Sequence, residues 1–122
     1  MSNVIHWFEI PAVDLERAVK FYEAMLGTRV RRETGDGTPQ ALLLDDGGKP
    51  EGSLIQAPQR RPTTLGTLVY LNAKGGIDGC LERATRAGGS VVLPKTGIGD
   101  PGFIAIVADT EGNHVGLHME RP

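Results

Sequence analysis

The chain has 122 residues, 39% of them apolar and 23% charged, with a formal net charge of −2. That length supports one domain with its own core, and the apolar and charged fractions exclude disorder along the chain as a whole. A pI near 5.9 with no basic block excludes a nucleic-acid footprint, and no apolar run approaches the ~20 residues that span a membrane.

The opening Met1-Ser2-Asn3-Val4 lacks a positive region ahead of an apolar run, so no secretory signal is expected. The single cysteine, Cys80, cannot form an internal disulfide, and a cytoplasmic location is the expectation. Glycine and proline, 17 and 8 residues, fall in clusters between short apolar runs. They punctuate many short elements rather than long helices.

Residues 4–10 carry Ile, Trp and Phe ahead of Pro11 and read as a strand. In residues 14–27, Leu15, Ala18, Val19, Tyr22 and Leu26 keep helical spacing, with Asp14 as N-cap and Gly27 as the stop. Strands are expected at 28–32, 40–44 and 53–57, separated by turns at Gly35-Asp36-Gly37 and Asp46-Gly47-Gly48. The first part therefore reads β-α-β-β-β and occupies about residues 1–57.

Residues 58–64 hold two prolines and two arginines and read as a linker. The pattern then restarts as a second module, about residues 65–120. A strand is expected at 65–73, a helix at 77–87 with Ile77, Cys80, Leu81 and Ala84 on one face, then strands at 90–93, 103–107 and 114–119. Phe8-Glu9-Ile10 answers Val69-Tyr70-Leu71, and Leu15, Val19 and Gly27 answer Ile77, Leu81 and Gly89. A repeat that keeps both element order and turn position is a specific signal. The expected fold is α+β: one domain over 1–122, its two modules forming a curved mixed sheet with a cleft.

One helix covers one face of each sheet, so strand alternation assigns the rest. Phe8 and Ile10, Val69 and Leu71, and Val115 and Leu117 are the apolar sets expected beneath the helices. Trp7 and Glu9, Leu68, Tyr70 and Asn72, and His114, Gly116 and His118 then face away. A face this polar suits a concave ligand pocket better than core. Leu54 and Gln56 of the fourth strand are assigned to the same pocket. Trp7 and Tyr70 could stack a planar ligand or plug the cleft as core. Glu9 is the candidate catalytic group: a general base, an acceptor for a ligand amine, or half of a buried pair with an arginine. Cys80, on the helix face, reads as buried and inert.

The paired modules, with Asp14-Leu15-Glu16-Arg17-Ala18-Val19-Lys20-Phe21-Tyr22 opening the first helix, resemble the vicinal oxygen chelate superfamily. So does the closing Asp109-Thr110-Glu111-Gly112-Asn113-His114-Val115-Gly116-Leu117. That superfamily includes glyoxalase I, bleomycin-resistance proteins, fosfomycin-resistance thiol transferases and extradiol dioxygenases. The resemblance covers essentially the whole chain and implies a homodimer with side-by-side pairing of modules between chains.

Members resembling glyoxalase I bind one divalent metal through four side chains on the first and last strands of each module. Those positions fall here at His6 or Trp7, within 53–56, at Thr67 or Leu68, and at Gly116, where the metal enzymes carry Glu. His6 is the only strong candidate and Gln56 a weak one, short of the three donors that zinc or nickel needs. His114 and His118 stand ~13 Å apart along a strand and cannot easily share one ion. The expectation is a glyoxalase-like binder of a small molecule, of unassigned activity and with no metal or other cofactor. A metal-dependent lyase or dioxygenase, or a metal-independent enzyme using Glu9 or a histidine, is the alternative.

Overall fold

The computed structural model describes residues 4–34 and 36–122, so Met1-Ser2-Asn3 and Gly35 of the first predicted turn lie outside the described residues. Module one contains β1 (Glu9–Pro11), α1 (Leu15–Leu26), β2 (Arg31–Glu33), β3 (Gln40–Leu44) and β4 (Pro50–Ile55). Module two contains β5 (Tyr70–Asn72), α2 (Ile77–Arg86), β6 (Ser90–Gly97), β7 (Phe103–Ala108) and β8 (His114–Met119). The strands form two mixed four-stranded sheets, ordered β1-β4-β3-β2 and β5-β8-β7-β6. In each, the first strand runs parallel to the last and the other pairs are antiparallel.

The repeat is carried by matching backbone hydrogen bonds. Ser53 N–H donates to Phe8 O at 2.9 Å, and Gly116 N–H donates to Val69 O at 2.8 Å. Further along, Ala12 N–H reaches Ile55 O at 2.8 Å, and Ala73 N–H reaches His118 O at 2.9 Å. Ser53 and Gly116 are thus structural equivalents, each beside the first strand of its module.

α1 forms as its spacing predicts. The Asp14 carboxylate accepts from Arg17 N–H, and Gly27 closes the helix at φ 68°, a conformation cheap only for glycine. Its buried stripe of Leu15, Ala18, Val19, Tyr22 and Met25 packs on Ile10, Ala41 and Leu54. α2 lacks a side-chain N-cap and buries the smaller set Ile77, Cys80 and Ala84. Leu81, expected to match Val19, is only half-buried at the margin of the core.

Module two also holds α1 directly. Glu111 Oε1, in the β7–β8 turn, accepts from Val13 N–H at 2.9 Å and Asp14 N–H at 2.7 Å. Arg83 of α2 donates to the carbonyls of Ala24 at 2.9 Å and Met25 at 3.1 Å, at the opposite end of the helix. Between them, the Tyr22 hydroxyl donates to Asp109 at 2.6 Å. Both ends of α1 would otherwise leave backbone groups unpaired.

Several predicted boundaries shift. The first strands of both modules pair only over three residues, not over 4–10 and 65–73. β2 begins at Arg31 rather than Thr28, β4 spans Pro50–Ile55 rather than 53–57, and β6 runs on through Gly97. A strand ends where its partner ends, and apolar alternation does not register that. No helix among the described residues is long and apolar enough to cross a membrane.

Candidate functional site

Residues 4–8, ahead of β1, and residues 67–70, which run into β5 at Tyr70, wall a cleft of about 730 Å³. Trp7, Leu68 and Tyr70 of the predicted pocket line it together, joined by His6, Phe8 and Glu51. Trp7 and Tyr70 are 41% and 44% exposed, so both leave aromatic surface open. Ile10, Leu71, Val115 and Leu117 are buried in the core, as alternation requires.

The other predicted pocket residues separate. Glu9 and His114 line a small recess of about 90 Å³. Asn72 and His118, with Tyr70, line a third hollow of about 590 Å³. His118 Nε2 donates to the Pro101 carbonyl at 2.7 Å, which ties the imidazole to the β6–β7 loop. The Glu9 carboxylate stands 3.3 Å from Arg60 Nε of the linker, in an exposed pair.

Two assignments are corrected. Leu54 is fully buried and belongs to the core beneath α1, because it pairs with Ile10 and Ala41 on the helix side of the sheet. Gln56 lies outside the cleft: its Oε1 accepts from Leu15 N–H at 2.8 Å, satisfying the first turn of α1. Phe8, placed beneath the helix, does sit on that side but is only partly buried, and its edge reaches the cleft. The open upstream segment, including Val4 and Ile5, was missed as cleft wall because its residues read as a paired strand.

Gly116 does not open space. The Tyr70 ring lies directly over it, so a Cβ at 116 would fall within the van der Waals envelope of the ring. Tyr70 and Gly116 are register partners on β5 and β8, which fixes the ring there. At the equivalent place in module one, Glu9 pairs with Ser53, whose hydroxyl is buried and has no hydrogen-bond partner among the described residues. The two modules thus repeat a backbone while filling it differently.

Residues 4–117 match the family described as the Glyoxalase/Bleomycin resistance protein/Dioxygenase superfamily. The chain belongs to that superfamily. Solved structures agree on the fold. An antibiotic binding protein from Streptomyces sp. CB03234, TnmS3, is 24% identical, with 99% of this chain and 98% of that chain covered and a TM-score of 0.68. The fosfomycin resistance protein FosX from Listeria monocytogenes is 12% identical, covers 99% and 93%, and has a TM-score of 0.71. A hypothetical protein from S. aureus, SA1046, is 20% identical over 98% and 95%, at a TM-score of 0.67. No curated protein matches the chain.

The residues at the superfamily's metal-ligand positions offer few metal donors. Gly116 supplies no donor, and Tyr70 covers the place a carboxylate would occupy. His6 is exposed on the cleft wall, and among the described residues no three His, Cys, Asp or Glu side chains gather to hold an ion. Transition metals need such a set.

Proposed function

We propose that this superfamily member binds a planar small molecule in the cleft between Trp7 and Tyr70, without using a metal. The observation that carries this reading is the Tyr70 ring seated on Gly116. It puts an aromatic platform where the resemblance places a ligating carboxylate. Stacking on such a ring adds roughly 1 kcal/mol beyond area burial, and the cleft is within the usual size of ligand pockets. The antibiotic-binding neighbour, TnmS3, lends the same fold to binding.

The proposal includes a homodimer in the cytoplasm. β1 and β5 are sheet edges, and the segments leading into them expose Val4, Ile5 and Leu65. Unpaired edges next to apolar side chains invite a second copy. Light scattering at micromolar concentration is expected to give the mass of two chains, and a monomer would overturn this part. For the ligand, native mass spectrometry with metal analysis on the same sample reads out both claims. An organic adduct lost in Tyr70→Ala, with well under one metal equivalent, is expected. A stoichiometric metal removed by His6→Ala would restore the reading of a metal-dependent lyase or dioxygenase.

A further inference from the structure

A second cavity, of about 310 Å³, lies where the two modules meet beside the end of α1. Its apolar wall comes from both modules: Leu26 and Leu43 from one, Leu71 from the other. Two aromatic rings, Phe8 and Tyr70, border it as well. Each ring rests on a glycine. Phe8 lies so close over Gly52 that a Cβ there would stand 2.5 Å from the ring, and Tyr70 is seated on Gly116.

The rim carries three carboxylates, Asp45, Asp46 and Glu51, against one ammonium, Lys74. Asp45 Oδ1 accepts from Gly47 N–H at 2.9 Å and Lys49 N–H at 2.8 Å, which sets the β3–β4 turn, while Oδ2 accepts from no group among the described residues. Asp46 pairs with Lys74 across the modules, an exposed contact of the weak kind. Glu51 takes part in no ion pair among the described residues. One rim cation therefore faces more negative charge than it neutralises.

We propose that this inter-module cavity is a binding site for a small amphipathic monoamine. Its apolar body would rest on Leu26, Leu43 and Leu71, and its ammonium would lie between the carboxylate rim and the aromatic faces. Rings of this kind attract a cation over their faces, and the carboxylates supply charge-assisted acceptors. A neutral ligand of the same shape would keep the apolar contacts and lose the charge attraction. An anion would meet repulsion.

The test uses the whole protein and three probes of one shape: phenethylamine, 2-phenylethanol and 3-phenylpropionate. In an amide-resolved NMR titration, the amine is expected to shift Leu26, Leu43 and Leu71, with the alcohol at least tenfold weaker and the acid silent. Glu51→Gln, at an exposed position, is expected to weaken the amine about tenfold. Lys74→Met, which removes the competing ammonium, is expected to tighten it severalfold. Trp7→Ala, which damages the other cleft, should leave the amine's affinity unchanged, so the two sites fail separately. No saturable shift, an alcohol as tight as the amine, or shifts gathered on Trp7 and Leu68 would each overturn the proposal.

Discussion

The Arg17 guanidinium, on the first turn of α1, meets the Glu111 carboxylate of the β7–β8 turn at 2.7 Å, across the boundary between the modules. The Glu111 side chain is fully buried in that pair. Burial by itself would raise its pKa, but the bonds from Arg17, the Asp14 N–H and the Thr110 hydroxyl outweigh it and hold the carboxyl below its ordinary value of 4.5.

A depressed carboxyl pKa favours the folded state above the unfolded value, and that contribution disappears as pH falls through the folded one. The wild type is therefore expected to lose stability below about pH 4.5. Glu111→Gln should be less stable at neutral pH by about 2 kcal/mol and flatter across the acid range. Urea midpoints at pH 7 and pH 3.5 check both; equal acid sensitivity in the two proteins would count against this assignment.

The Tyr22 hydroxyl is buried against Asp109, and burial first, then the Asp109 charge, push its pKa well above the ordinary value of 10.0. The unfolded phenol ionises near that value while the folded one keeps its proton. Stability is thus expected to fall as pH rises past 10. Tyr22→Phe should remove that alkaline slope and cost about 1–2 kcal/mol at pH 7 through the lost hydrogen bond. Thermal melts across pH 7–11 would show it.

Gly116→Ala is expected to destabilise by about 1–3 kcal/mol, the usual cost of overpacking, because the new methyl meets the Tyr70 ring. Tyr70→Ala in the same chain should recover most of the loss. A double-mutant cycle in denaturant measures the coupling, and additive effects would mean that the ring does not rest on residue 116.

Alternation made Ile10, Leu71, Val115 and Leu117 legible as core, since α1 and α2 each impose one apolar side on the strands beneath. The same logic placed Trp7 and Tyr70 on the open side. It failed at Leu54 because Gly52, Ser53, Leu54 and Ile55 are all buried, so β4 shows no polar–apolar contrast from which to read a face. Gln56 bonds to Leu15, a partner 41 positions away, and no local spacing announces such a long-range cap. The seat of Tyr70 on Gly116 depends on which β5 residue lies beside which β8 residue, and that register is a tertiary fact.

Module two caps α1 at its first turn through Glu111, at its last through Arg83, and grips its middle through Tyr22 and Asp109. A duplicated architecture would suggest two bodies able to fold in turn. The helix instead takes part of its terminal hydrogen bonding from the other half of the chain, so module one is not complete alone. Unfolding is expected to be a single cooperative transition, with calorimetric and van't Hoff enthalpies equal. Cutting the chain within residues 58–64 should yield two pieces that are separately unstructured by circular dichroism and regain helix only when mixed. A piece ending at residue 57 that folds by itself would show that this dependence is weaker than the contacts imply.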